Sequence, residues 1–422
     1  MKNKLNIPFL KSITALASGS IIAQIITFIA SPIMTRLYTS EEIGVYTLIL
    51  TTVSMFGGVI CGRYDISIVF EQEEDKVLPI IKLSLIISIL ASSIISLGYG
   101  VYYWLSGKEN QSYLVVVVFT LILLFTTGIG NILISYNNRK REYPLMTSVN
   151  IIRAIGKNLT IVILGLLKTG SIGILISETV AQVLGTNIQL KSLKPHFKEL
   201  FKVSKQEMAL VAKKHYRQPV YSVPAIFANS FSYSSINFFI ESLFGLSVLG
   251  YYSMSFRVLG LPLSVISNNV SKVFFEEASR EYNETKQFKK SFCKTCLFLI
   301  VISVPMVLSM LFLAPPLFGW IFGHEWKVSG YYVKVLAPMF GIRFIVSALT
   351  PGMVICGKQK YELFIQILFA LMSVVGYITT KSAHLTINQY LIIISLSFFA
   401  IYIIYFLTLL TYSKGSIKRF DV

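Results

Sequence analysis

Arg153 and Lys157 stand four residues apart in a stretch, Leu145 to Leu167, whose other residues are mostly apolar, and Asn150 precedes Arg153 by one helical turn. Arg257 and Arg343 sit in apolar stretches of their own, as do Glu178, with Gln182 one turn on, and Glu241, with Asn237 one turn before it and Asn229 two turns further back. A charge surrounded by hydrocarbon costs about 2.5–3.5 kcal/mol or more unless it faces protein or water. Fixed cationic donors bind oxyanions strongly where water is scarce, so Arg153, Lys157, Arg257 and Arg343 are candidate ligands for an anion held at depth. Asn150, Gln182, Asn229 and Asn237 add neutral donors and acceptors to the same cavity. Glu178 and Glu241 either pair with these cations or act as ion-coupling groups. Each basic residue has that pairing as its alternative, but four cations outnumber two carboxylates.

The elements that must carry these residues are set by composition. Of the 422 residues 54% are hydrophobic and 14% charged, with a mean hydropathy of +0.67, well above an ordinary soluble domain. Irregular backbone cannot sit in lipid, and the apolar runs are about twenty residues long rather than short alternating segments. The expected fold class is an all-α membrane protein with about twelve transmembrane helices. Six spans come first: Ser12 to Thr35, Val45 to Gly62, Leu78 to Trp104, Tyr113 to Ser135, Leu145 to Leu167 and Ser171 to Leu190. After a polar break come Val220 to Leu243, Leu249 to Val270, Phe292 to Ala314, Tyr332 to Ile355, Leu363 to Thr380 and Asn388 to Tyr412. At a rise of 1.5 Å per residue, Arg153 lies about 13 Å from the inner end of its span and Lys157 deeper, too far for easy snorkelling.

Charge orients the spans. The formal net charge is +18. With both termini cytoplasmic, the inner segments hold 27 basic residues and the outer ones only Arg36, Lys108, Lys168, Lys327 and Lys381. Such a bias accounts for the excess charge without a nucleic-acid partner. The segment Lys191 to Pro219 sets Phe197, Leu200, Phe201, Val203 and Met208 among lysines, the pattern of an amphipathic helix drawn to anionic lipid on the inner leaflet. It divides the chain into halves, 1–190 and 220–422. SEEIGVYT at Ser40 to Thr47 matches GLSVLGYYS at Gly245 to Ser253, aligning Gly44 with Gly250 and Tyr46 with Tyr252, while RKREYP at Arg139 to Pro144 matches GKQKYE at Gly357 to Glu362. Two matching turns at equivalent places imply a duplicated architecture of six helices per half.

Other chemistry is poorly provided for. No G-x-x-x-x-G-K-[ST] loop is present, so direct ATP use is not expected, and no cofactor is implied. His196, His215, His324 and His384 are scattered, and His324-Glu325 lacks the second histidine of a metalloprotease helix. Cys293 and Cys296 form a C-x-x-C with no second pair, which reads as interfacial packing rather than a metal or redox motif. The basic N-terminus leads into an apolar segment without an A-x-A-like cleavage site, so a retained first helix is expected rather than a signal peptide. Pro32, Pro224, Pro262, Pro305, Pro338 and Pro351 lie in or near spans as natural bend points.

TRLYTSEEIGVYTL at Thr35 to Leu48 and RYDISIVFEQEED at Arg63 to Asp75 resemble the Wzx-type O-antigen and capsule repeat-unit flippases. LGYYSMSFRVLGLP at Leu249 to Pro262, VFFEEASR at Val273 to Arg280 and PPLFGWIFGHEWKVSGYYVKVLAP at Pro315 to Pro338 continue that resemblance through the second half. It implies the multidrug/oligosaccharidyl-lipid/polysaccharide exporter superfamily, a V-shaped bundle with alternating access, and a bacterial inner-membrane protein that is not an enzyme. The implied cargo is undecaprenyl-diphosphate-linked oligosaccharide, with membrane lipids and the polymerase and chain-length proteins of the same pathway as partners. Two alternatives remain. A multidrug extruder of the same superfamily typically takes cations, which positive groups in the cavity oppose. An O-antigen polymerase or ligase carries a large periplasmic loop, whereas the outer loops here are short.

Overall fold

The computed structural model describes residues 7–105, 107 and 113–415, with side chains from residue 19 onward. The basic residues Lys2, Lys4, Lys11, Lys108, Lys418 and Arg419, part of the orientation count, fall outside the described side chains. Every described element is helical. Among the described residues nine helices are long and apolar enough to cross a membrane, and the chain is a multi-pass membrane protein of the all-α class.

Two compact units make up the chain, residues 1–38 with 45–234 and residues 39–44 with 235–422. The first unit contains α1 (Ile7–Leu37), most of α2 (Ser40–Gly57), α3 (Tyr64–Phe70), α4 (Val77–Leu105), α5 (Tyr113–Arg139), α6 (Tyr143–Leu166), α7 (Ser171–Val183) and α8 (Thr186–Gln189). Next come the connector helices α9 (Phe197–Lys202) and α10 (Lys205–Lys214), and then the start of α11 (Val223–Phe244). Within it α1 packs on α6, α4 on α5, and α6 on α7.

The second unit takes the rest of α11, then α12 (Leu246–Pro262), α13 (Asn268–Thr285), α14 (Lys289–Phe322), α15 (Lys327–Leu349), α16 (Pro351–Ile355), α17 (Gln359–Ser382) and α18 (Ile387–Ser413). Its axis is α15, which packs on α12, α14 and α18 and is the most buried of the nine apolar helices. Small residues make this possible: Gly341 lies against Ser303 and Val307, and Ser303 Oγ donates to Gly341 O at 3.0 Å.

Each predicted span contains a helix, yet three fall below the length and apolarity of the other nine, for identifiable reasons. α2 opens with Glu41 and Glu42 in its first turn. α7 stops after 13 residues because Leu184 is extended and Gly185 takes φ 77 before α8 resumes. α11 is long enough at 22 residues but carries the polar run Ser230 to Asn237. The matched segments at Ser40 and Gly245 are helix starts rather than turns. Thr39 caps α2, with its N–H on Glu42 Oε2 at 2.8 Å and its Oγ1 accepting from Glu42 N–H at 3.3 Å, whereas Gly245 enters α12 with φ 87. The connector breaks at Val203 and restarts at Ser204, which closes a capping box with Glu207. Pro262 leads into a π-helical turn at Leu263–Ser267, and Pro351 begins α16, while α14 continues through Pro305.

Candidate functional site: ionic clusters in the membrane helices

The predicted site residues divide between the units. Asn150, Arg153, Lys157, Glu178, Gln182 and Asn229 belong to the first; Asn237, Glu241, Arg257 and Arg343 belong to the second.

In the first unit α6 and α7 present a closed triangle. Lys157 Nζ lies 2.5 Å from Glu178 Oε2 and donates to Tyr46 Oη at 3.1 Å, while Tyr46 Oη donates to Glu178 Oε2 at 2.8 Å. Tyr46 is buried, and the side chains of Lys157 and Glu178 are only 18% and 14% exposed, so water does little to screen the pair. The pairing that the sequence left open for Lys157 is therefore present, with Tyr46 as a third member that charge counting could not supply. Its signal was its place in the repeated SEEIGVYT segment.

Arg153, one turn before Lys157 on α6, meets the end of α7. Its Nε donates to Leu184 O at 3.0 Å, and its Nη2 donates to Gln182 O and to Gln189 Oε1, each at 3.1 Å. The last carbonyls of a helix have no partner within it and carry the negative end of its dipole. A guanidinium is a suitable cap, and Arg153 holds the break at Gly185 in place. Three of its five N–H groups go to these acceptors. The Gln182 side chain is engaged in turn: its Oε1 accepts from Thr126 Oγ1 and, at 3.4 Å, from Thr127 Oγ1. Asn150 is half-buried and Asn229 exposed. Asn158, which the sequence reading passed over, is buried and donates Nδ2 to Ala154 O at 2.7 Å and to Thr27 Oγ1 at 3.3 Å.

In the second unit Arg343 lies on the buried helix α15. Its guanidinium carbon is 5.2 Å from the centroid of the Phe340 ring and 5.7 Å from that of Phe256, and those two rings meet edge to face at 5.3 Å. Aromatic faces are negative and offset part of the cost of holding a cation away from water. Phe256 also packs on Tyr252 at 5.9 Å. The two tyrosines aligned by the repeat thus each lie beside a cationic cluster of their own unit, Tyr46 by hydrogen bonds and Tyr252 through Phe256. Arg257 follows Phe256 on α12 and is half-buried, Glu241 is buried on α11, and Asn237 is half-buried one turn before it.

A third ionic cluster, missed by the sequence reading, ties the connector to the segment after α3. The Glu71 carboxylate is almost wholly buried and accepts from Lys214 Nζ at 2.7 Å and from the Glu73 N–H at 3.1 Å, with His215 Nε2 at 2.8 Å. Burial pushes its pKa up, but the bonds from Lys214, the Glu73 N–H and His215 outweigh this and hold it at about 2. Arg139 at the end of α5 donates to the carbonyls of Ile68, at 3.1 Å, and Glu71, and it pairs with Glu74 at 2.6 Å. The signal was present as four carboxylates in FEQEED, but partners more than sixty residues away are invisible to a linear reading.

Residues 33–330 match the model of the family described as polysaccharide biosynthesis protein. The chain belongs to that family. Solved structures with the same fold are transporters of the MOP superfamily. One described as the inward-facing conformation of a multidrug resistance MATE family transporter superposes with a TM-score of 0.75 at 13% identity, over 92% of this chain and 93% of that one. The lipid II flippase MurJ in an inward closed conformation gives 0.67 at 12% identity, over 96% and 90%. A MOP superfamily transporter from Pyrococcus furiosus, whose description refers to a reversed polarity of its binding pocket, gives 0.63 at 13% identity over 94% of each chain. No curated protein sequence matches the chain. At these identities the structural likeness establishes a shared fold, and it is the MOP-type fold that the family resemblance implies.

Proposed function

We propose that this protein is a flippase that moves undecaprenyl-diphosphate-linked oligosaccharide repeat units, of O-antigen or capsule, from the cytoplasmic to the periplasmic leaflet of the bacterial inner membrane by alternating access. The observation that carries the reading is the sign of the charge inside the membrane helices of a polysaccharide-family protein. Arg153, Lys157, Arg257 and Arg343 stand against Glu178 and Glu241, so the membrane interior stays net positive even when both carboxylates are ionised. A lipid diphosphate is the anionic cargo that such an interior suits. Under this reading Arg153 and the stacked guanidinium of Arg343 meet phosphate or acidic-sugar oxygens, Asn150, Asn229 and Asn237 meet sugar hydroxyls, and Lys157–Glu178 is the coupling pair. The six-helix halves, 1–190 and 220–422, then alternate access with both termini in the cytoplasm, and polymerase and chain-length proteins act on the delivered unit.

Gene deletion tests this directly. Surface polysaccharide should be lost and lipid-linked repeat units should accumulate on the inner leaflet, both restored by a plasmid copy. Unchanged polysaccharide together with new sensitivity to cationic drugs would instead establish the multidrug extruder, and accumulation of single units on the outer leaflet would establish the polymerase or ligase.

A further inference from the structure

Under the connector of the first unit lies a hollow of about 260 Å³ whose accessible wall is apolar throughout. Ile81 and Leu85 on α4, Ile129 on α5, Leu190 after α8, and Phe197 and Phe201 on α9 line it. α9 crosses the hollow because Lys82 holds its end: the Lys82 ammonium on α4 donates to Phe201 O at 3.0 Å and to Val203 O at 2.7 Å, carbonyls that close the helix. Ile81 and Leu85 lie four and eight residues into α4, about 6 and 12 Å along the helix from its start. Phe201, 79% exposed, extends the apolar surface outward from the hollow.

The charge beside it is mostly positive. Exposed Lys191, Lys194, Lys198, Lys202 and Lys205 stand against Glu199 alone in residues 191–205. They are strung along the connector rather than gathered at one point, and Lys82, beside Ile81 on α4, is already engaged by two carbonyls. Such a line suits the phosphates of a bilayer leaflet better than it suits a single diphosphate.

We infer that this hollow is a binding site for an anionic phospholipid, taking one acyl chain between α4, α5 and α9 with its phosphate against the connector lysines. The inference rests on membership of the membrane and not on the cargo proposed above. Native mass spectrometry of the detergent-purified full chain, offered equal amounts of phosphatidylglycerol, phosphatidylethanolamine and undecaprenyl phosphate, tests it. Phosphatidylglycerol should be retained several-fold over phosphatidylethanolamine. Ile129→Trp, which fills the hollow, should cut that retention several-fold. The combined variant K194Q/K198Q/K202Q, which alters only exposed side chains, should abolish the preference for phosphatidylglycerol while leaving the fold intact. Equal retention of the two phospholipids, or retention unmoved by either variant, overturns the inference. So does an Ile129-dependent preference for undecaprenyl phosphate, which would give the hollow to a prenyl chain. Because the readout is lipid retention, these outcomes are independent of whether export is lost on gene deletion.

Discussion

A Cβ on Gly44 would overlap the carbonyl oxygen of Leu246, and a Cβ on Gly250 would overlap that of Ser40, so each glycine lies against the residue four before the other. Ser40 opens α2 and Leu246 opens α12, which makes the crossing of these helix starts in the second unit reciprocal. Glycine is required at both places because backbone, which cannot rotate aside, occupies the space a side chain would need.

Gly44→Ala and Gly250→Ala should therefore each destabilise by about 1–3 kcal/mol, the usual range for overpacking, with Val worse than Ala. Gly98→Ala on α4 is the control. A Cβ there meets nothing within 4 Å, and removing a helix glycine should be neutral or stabilise by up to about 1 kcal/mol. Melting of the purified variants in detergent checks the contrast, which fails if Gly44→Ala or Gly250→Ala melts as late as Gly98→Ala.

Lys157 and Glu178 should behave as one unit. Lys157→Ala strands a carboxylate and Glu178→Ala strands an ammonium, each in a mostly buried place, and breaking such a pair typically costs about 3–5 kcal/mol. Lys157→Met with Glu178→Gln removes both charges and should recover most of the abundance lost by either single change. If instead the pair serves ion coupling alone, immunoblots will show normal abundance for all three variants and only export will fall.

The repeat shows how far the sequence could be read. Gly44 and Gly250 could be aligned because a close helix crossing leaves a local mark, a glycine at a fixed distance from a helix start. The apolar spans were legible because lipid acts on every residue of a helix alike. The triangle at Lys157 was half legible: the opposite charges were visible, but Tyr46 joins them across 111 residues. The cap made by Arg153 was not legible, because it depends on where α7 breaks, and Gly185 alone does not announce that its neighbours' carbonyls turn toward α6. Glu71 stayed hidden for the same reason, since its partners are set by how the connector folds back.

Glu71 gives the connector a pH limit. Its folded-state pKa of about 2 lies below the ordinary value of 4.5, so its contribution is complete above about pH 4.5 and is lost as pH falls through that range toward 2. Limited proteolysis of the connector in detergent should accelerate over that interval. Glu71→Gln, which keeps the shape but not the charge, should be cut rapidly at neutral pH and show much less dependence on acid. A wild-type connector equally protected at pH 6 and pH 3 would remove Glu71 from this role.

Topology follows from the placement of lysine and arginine. Alkaline-phosphatase fusions after Lys108, Lys168, Lys327 and Lys381 should be active, and fusions within Lys191 to Pro219 inactive, because basic residues are retained on the cytoplasmic side. Cytoplasmic signals at two of the four outer positions would change the number of spans between them.

Arg343 separates charge from shape. The guanidinium stacks on Phe256 and Phe340 as a plane, whereas an ammonium at the same place would be a point charge with weaker stacking. Where the need is positive charge at depth, Arg343→Lys keeps part of the export activity and Arg343→Ala abolishes it, both with normal abundance, and Arg257 should respond in the same way. Where the arginine mainly holds α12 against α15, Arg343→Ala instead lowers abundance, and Phe256→Leu, which removes one stacking face and leaves the charge, lowers it too. Immunoblots beside polysaccharide profiles distinguish the two. Normal export from alanine variants of Arg153, Lys157, Arg257 and Arg343 alike would sink the cationic cavity.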